Sequence, residues 1–281
     1  MILLLLLVLG VPADAGTPNG VPLALVRKFA DELFDQGDWF RAATEYLRAA
    51  SYDPAAPDAG ELTFKAALAA YRAGQWADAR RRLTALAEVS ATGLADRCRF
   101  LAAASSFRLE EYETARLLAG RARAGDGGLL DRAAYLEGLS DLRLGNWPDA
   151  RSAFGAVPPA SPLRGSAGAL AGLADRGGRL ARGSAWLGAG LSALVPGLGQ
   201  VAYGYVWDGL SALLVTGGSA ALLAAGIQRD NATLRAVGAA CLMVFYPANV
   251  FGGANAPGRR FREERRRLLD EAGRLSTLSL E

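Results

Sequence analysis

No histidine occurs in the 281 residues. Imidazole is therefore unavailable as base, nucleophile or ligand, which excludes a Ser-His-Asp triad, a Cys-His pair and His-ligated zinc or haem. Cysteine is almost as scarce. Cys98 and Cys241 stand far apart, and two thiols alone make neither a zinc site, an iron–sulfur site nor a disulfide framework. No metal or cofactor is expected, and without a nucleophile motif no enzyme is expected either. A marked excess of one charge is also missing. Lys plus Arg is 31 and Asp plus Glu is 28, a net +3 that is too small to mark a nucleic-acid binder. Charged residues make up only 21% against 51% hydrophobic ones, and the mean hydropathy is +0.15. Such a balance points to membrane segments.

Two kinds of apolar run carry that balance. Residues 1–11, MILLLLLVLGV, form an uncharged core too short to span a bilayer, followed by Ala13-Asp14-Ala15. This fits a signal peptide over residues 1–15 with an A-x-A cleavage site and a Gly/Pro-rich linker over 16–22. The alternative is a buried N-terminal helix. The longer runs lie near the other end. Residues 185–227 hold one charge, Asp208, and residues 236–257 hold none. Spanning helices are expected over 209–227 and 234–251, joined by a short polar turn at 228–233. The run 186–195 meets Pro196-Gly197-Leu198-Gly199, which breaks or kinks a helix, so it reads as a kinked third span or a re-entrant hairpin.

Between these regions one short pattern recurs: a turn residue, a polar residue, an aromatic and, three residues on, Ala. It stands at Gly37-Asp38-Trp39 with Ala42, Gly74-Gln75-Trp76 with Ala79, Glu110-Glu111-Tyr112 with Ala115, and Gly145-Asn146-Trp147 with Ala150. Seven residues before each turn stands Ala30, Ala67, Ala103 or Gly138. Four beyond each Ala stands Tyr46, Leu83, Ala119 or Phe154. Apolar residues at helical spacing on both sides of a turn predict two amphipathic helices per unit, four units over residues 23–162. A single hairpin cannot bury its apolar face, so the units must stack. The fold class is then all-α, a short helical-hairpin solenoid followed by a small transmembrane helical module.

The four units resemble the tetratricopeptide repeat, with Glu110 a departure at the third turn. The resemblance implies a concave groove lined by the first helices. Carried over, its positions are Arg27, Phe64, Phe100 and Tyr135; Phe34, Tyr71, Phe107 and Leu142; and Asp35, Arg72, Arg108 and Arg143. It implies a peptide or protein partner, with the arginine row suited to an acidic or C-terminal segment; the alternative is that these are ordinary repeat residues.

Two signatures mark the membrane module, taken as residues 185–257. The first is Pro196-Gly197-Leu198-Gly199-Gln200 with Tyr203-Gly204 and, after Asp208, Gly209. The second is Asn249 with Gly252-Gly253. The first resembles bacterial modules related to the TM2 domain. The second is similar to an Asn-x-x-Gly-Gly ending of bacterial proteins that join such a module to tetratricopeptide repeats. Gly197 to Ala202 also fits the dinucleotide fingerprint G-x-G-x-x-A, but no acidic residue follows about 20 positions on and the flanks are membrane-like. Asp208 is expected to cap the following helix, and Gln200 and Asn249 to bond between helices.

Residues 163–184 read as a connecting helix and 258–281 as a basic tail, whose segment 259–267 carries six Arg against two Glu. The positive-inside rule places such a tail in the cytoplasm beside anionic lipid. With Arg176, Arg179 and Arg182 on the repeat side, exported repeats and an internal tail need an odd number of crossings, so three are favoured. Helical spans favour the inner membrane, because outer-membrane spans are barrels. The expectation is a non-enzymatic scaffold or adaptor of the bacterial envelope with its repeats in the periplasm. The alternative is a small channel or carrier with a repeat regulatory domain, suggested by the broken helix and Asp208.

Overall fold

The computed structural model describes residues 21–125 and 128–276; the signal-peptide segment and most of the linker lie outside them. Among the described residues there are thirteen helices and no strand. Two compact units divide between Asp175 and Arg176, the second ending at Arg274.

The first unit is a stack of helical hairpins: α1 (Leu23–Asp35) with α2 (Trp39–Tyr52), α3 (Ala59–Arg72) with α4 (Trp76–Val89), α5 (Thr92–Arg108) with α6 (Tyr112–Arg123), and α7 (Leu130–Leu144) with α8 (Trp147–Gly155). The four turns close alike. Asp38, Gln75, Glu111 and Asn146 each donate a backbone N–H to the carbonyl five residues earlier, all at 2.9 Å. This six-to-one bond requires a left-handed residue just before the donor. Gly37, Gly74 and Gly145 supply it at φ +80°, +77° and +87°. In the third unit Glu110 does so at +61°, which explains how the repeat keeps its register without a glycine.

Packing follows the small residues. Ala30, Ala67 and Ala103 in the first helices and Ala42, Ala79, Ala115 and Ala150 in the second are all fully buried. At Gly138 a Cβ would lie 2.8 Å from the Phe154 ring, so the fourth crossing is the tightest. Tyr46, Leu83, Ala119 and Phe154 fill the wedges. First helices of neighbouring units also touch, α3 with α5 and α5 with α7. Ion pairs repeat at about one unit's spacing: Lys65 with Asp31 at 2.8 Å, Arg27 with Asp58 at 2.7 Å and Arg97 with Glu61 at 2.9 Å. Such exposed pairs contribute about 0–1 kcal/mol each, so apolar stacking holds the array. Helix α9 (Arg164–Gly178) buries Ala167, Leu170, Leu173 and Ala174 along one stripe, and its Ser166 bonds the Tyr135 hydroxyl.

In the second unit α10 (Ala185–Leu194) and α11 (Leu198–Ala202) precede α12 (Val206–Gln228) and α13 (Ala232–Leu275). Two of these, α12 and α13, are long and apolar enough to cross a membrane. Helix α10, at 10 residues, rises about 15 Å, half the hydrocarbon thickness. The expected module–tail boundary at 257/258 is not an element boundary: α13 runs through Pro257 to Leu275. Pro257 is buried inside the helix, and the carbonyl it frees, that of Gly253, faces the Gly188 backbone of α10. A neighbouring helix thus covers the gap that would otherwise end the helix.

Two stability predictions follow from the first unit. Replacing Glu110 by Gly should stabilise it by roughly 1 kcal/mol, because an L side chain at positive φ costs about that much; chemical denaturation of parent and variant measures it. Burial pushes the Asp141 carboxyl up to about 6, against the opposing hydrogen bond from Asn146 and the charge of Arg116. A folded pKa above the unfolded value of about 4 favours the protonated form. That stability is present below about pH 4 and lost as pH rises through 6. The Asp141→Asn variant should therefore match the parent near pH 4 and exceed it near pH 8 by roughly 2 kcal/mol, read as the difference between their pH–melting profiles.

Candidate functional site

The three rows expected to line the repeat groove are not equally available. Tyr135 is fully buried in a T-shaped contact with Phe154 and presents no surface to a partner. Leu142 and Phe64 are also buried, and Arg97 lies over the Phe64 ring at 4.2 Å. Arg27 is committed to Asp58. Phe100 and Phe107 are half-buried, Phe107 against Tyr112 at 5.3 Å, and Asp35 is exposed.

The remaining residues converge. Arg72 lies over the Phe34 ring of the preceding unit, 4.7 Å from its centroid. Arg108 donates from Nε to the Tyr71 hydroxyl at 3.5 Å. Each arginine thus leans on the aromatic one unit before it, and the half-buried Arg143 occupies the same position in the fourth unit. Tyr71, Arg72 and Arg108 share a 310 Å³ cleft with Gly74, Trp39 and Trp76. Every one of these stands in the last turn of a first helix, in the turn, or at the start of a second helix. The cleft therefore lies at the turn edge of the stack. In the sequence the tryptophans served only as markers of the recurring turn; their place one residue after each turn dipeptide was the signal for this second role.

Cys98 is fully buried. Burial pushes its thiol up to about 12, with the nearby Arg97 charge opposing.

The two membrane signatures form one site. Pro196 has no N–H, so the Ser192 carbonyl loses its helical partner; the Asn249 side-chain amide donates to it at 2.7 Å. The next carbonyl, Ala193, accepts from the Tyr246 hydroxyl at 3.0 Å. The Gly197 N–H donates to Asn249 Oδ1 at 2.7 Å, and the Gly199 N–H to Ser192 Oγ at 3.0 Å. Ser192 Oγ donates in turn to Gln200 Oε1 at 2.7 Å, while Gln200 Nε2 donates to the Asn249 carbonyl at 3.1 Å. Every polar group freed at the break named here is answered, and Ser192, Gln200 and Asn249 are buried.

The glycines admit this closeness. Gly197 is left-handed at φ +86°, and a Cβ there would sit 1.9 Å from the Gly209 carbonyl oxygen. A Cβ on Gly199 would fall 2.1 Å from the Gly188 oxygen, and one on Gly253 2.3 Å from Ser192 Oγ. At Gly252 the Gln200 amide would be met at 2.7 Å.

These contacts also fix direction. Helix α10 runs antiparallel to α13, with Gly188 by Gly253 and Ser192 by Asn249. Helix α11 turns back, and the Tyr203 hydroxyl reaches the Ser184 carbonyl at 3.3 Å. The pair is a helical hairpin and not one continuous kinked helix. Gly204, at φ +91°, then turns the chain into α12.

Asp208 is not the helix cap expected of it. Tyr205 holds that position, and Asp208, in the first turn of α12, pairs with Arg259 at 2.8 Å. Arg259 also lies 4.1 Å from the Tyr205 ring. A carboxylate near a helix N-terminus is favourable, and this one lies half-exposed at the end of the apolar segment. Nearby, Arg182 covers Phe261 at 5.0 Å and Arg176 pairs with Glu271 at 2.6 Å. Both basic clusters thus occupy one end of the second unit. The two features that suggested a channel, the broken helix and Asp208, are consumed by the clasp and by this ion pair.

Removing the Asn249 side chain strands the Ser192 carbonyl and the Gly197 N–H. Asn249→Ala should destabilise the second unit by on the order of 2–5 kcal/mol. Asn255→Ala, an exposed site on the same helix, should leave it unchanged. Unfolding of the full chain by graded addition of a denaturing detergent, followed by helicity, measures both; equal midpoints would show that the clasp contributes nothing.

Compared with known proteins, the chain matches no family model and no curated protein.

Proposed function

We propose that the chain is a non-enzymatic adaptor anchored in the bacterial inner membrane, whose hairpin repeats hold a peptide or protein partner. The observation that carries this is the division of labour between two self-contained units. One stacks amphipathic hairpins through small buried residues. The other sets two long apolar helices around a fully bonded break. The resemblance of the repeats to tetratricopeptide units supports a binding role for the first. The resemblance of the second to TM2-related modules supports an anchoring role.

With α12 and α13 as the crossings among the described residues and α10–α11 re-entrant, the repeats and the tail would share one face of the membrane. The leader-like run of residues 1–15 supports the periplasm as that face, because domains led by an export signal translocate largely regardless of charge. Within the tail's excess charge, Arg259 is paired with Asp208 from outside the tail.

Two measurements on the full chain test the adaptor. It should stay with membranes through alkaline carbonate extraction, while cleavage at a protease site inserted after Ala181 should free the repeats. A chain extracted intact by carbonate contradicts anchoring. Photo-crosslinkers at exposed Asp35, on the first-helix face, and at exposed Thr84, on a second helix, report the binding face. Crosslinks to another protein from Asp35 and not from Thr84 are expected; the reverse pattern contradicts groove binding.

A further inference from the structure

We propose that the cleft between α12 and α13, below the tip of the α10–α11 hairpin, binds a flat apolar molecule of the quinone class through its carbonyl oxygen. The inference goes beyond the adaptor and rests only on its anchoring half, the placing of α12 and α13 in the bilayer.

The cleft follows from how the second unit is wedged. At one end the two long helices touch: a Cβ on Gly238 of α13 would lie 2.5 Å from the Leu223 backbone nitrogen of α12. Toward the other end α10 packs on α13 at Gly253 and α11 packs on α12 at Gly209, so the short hairpin holds the long helices apart. The wedge stops at Pro196. Between Pro196 and Leu223 a space of 720 Å³ is left, with small residues at Gly217, Ala220 and Ala239 and larger ones at Met243 and Tyr246. Its size is that of a small-molecule site. The hairpin fills the groove on the far side of Pro196, so a partner's crossing helix finds no continuous track in it.

One group in the cleft lacks an answer. Helix α12 carries three hydroxyls. Ser211 donates to the Asp208 carbonyl at 2.9 Å and Ser219 to the Val215 carbonyl at 2.7 Å, the usual way a helix satisfies its own hydroxyls. Thr216, which lines the cleft, is 2% exposed, and its hydroxyl has no hydrogen-bond partner. A hydroxyl left unmade in an apolar medium is costly, so an acceptor brought by a ligand is favoured there.

Depth selects the acceptor. Thr216 is the eleventh of the 23 residues of α12, about 15 Å or more from either end. Phospholipid head groups stay outside the hydrocarbon core of about 30 Å, so an acyl chain that reaches Thr216 brings no oxygen with it. A carbonyl on an apolar ring reaches that depth and offers a lone pair. The walls suit such a ring. Tyr246 has its hydroxyl bonded to the Ala193 carbonyl at 3.0 Å, which leaves its aromatic body for the cleft. Met243 adds a polarisable thioether, and the small residues leave room for a flat body.

The test uses the full chain, one copy per lipid nanodisc, and two probes of like shape. Dimethylnaphthoquinone has two carbonyls and dimethylnaphthalene has none. Equilibrium dialysis measures their retention by loaded over empty nanodiscs. The quinone should bind roughly tenfold more tightly than the hydrocarbon. Thr216→Val keeps the shape and removes the hydroxyl, so it should bring the quinone down to the hydrocarbon's affinity. Thr216→Ser should restore most of the difference. Gly217→Leu should abolish retention of both probes: nothing lies within 4 Å of its Cβ position, so the new side chain enters the cleft without disturbing the fold. Gly218→Leu, equally free of neighbours but outside the lining, should leave both unchanged. The proposal is overturned if the two probes are retained alike, if neither is retained above empty nanodiscs, or if Thr216→Val or Gly217→Leu binds the quinone as the parent does. It is also overturned if retention vanishes with two copies per nanodisc, which would give the cleft to a second chain. Such a failure leaves the carbonate extraction, and with it the anchor, untouched. Quinone binding by a chain that carbonate extracts would instead keep the cleft and reject the anchor.

Discussion

A helix broken inside an apolar module leaves backbone groups that lipid cannot satisfy, and the second unit is arranged around answering them. Pro196 orphans the Ser192 carbonyl, and the turn that follows diverts the Gly197 N–H from the Ala193 carbonyl. One residue, Asn249, donates to the first and accepts from the second. Tyr246 covers the third. From this clasp come the short α10, the return through α11, and the glycines that let three backbones approach within the width of a methyl group. The apolar composition makes membrane insertion possible, and the polar clasp sets where α10 ends and α11 begins.

The repeat unit answers the opposite problem, since its backbone is satisfied within each helix and only apolar faces need covering. Small residues at the crossings bring helices close, and one left-handed residue per turn fixes the register. The same turn puts an aromatic at the start of each second helix and an arginine at the end of the third and fifth helices. The residues that close the hairpins therefore also build the edge at which Arg72 and Arg108 are brought together. Architecture and candidate ligand site are one feature of the sequence pattern.

Much of this was legible in the residues. The recurrence of Trp39, Trp76, Tyr112 and Trp147 gave the hairpins and their small-residue crossings, and the apolar runs gave α12 and the start of α13. The two signatures were recognisable separately, yet nothing in their spacing revealed that Asn249 answers Pro196 across 53 positions. Hydrogen-bond complementarity between distant segments has no periodicity to read. The module boundary expected at 257/258 missed the continuation of α13 because the backbone that covers the Pro257 break, that of Gly188, is also distant in sequence. Tyr135 and Phe64 were expected on the groove because helical phase gives a face but not its depth: Phe154 of the same hairpin packs on Tyr135, and Arg97 of the next unit covers Phe64. Asp208 looked isolated for the same reason, its partner Arg259 being 51 residues away.

The proposal of α12 and α13 as crossings carries a consequence: the described residues before α10 and those after α13 would share a face of the membrane. The most direct measurement is a pair of fusions to a reporter active only in the periplasm, one after Pro162 and one after Glu281. The account predicts activity at both. Activity at one and silence at the other, with both fusions stably made, would require an odd number of crossings and would contradict the clasped, re-entrant break on which the second unit is built.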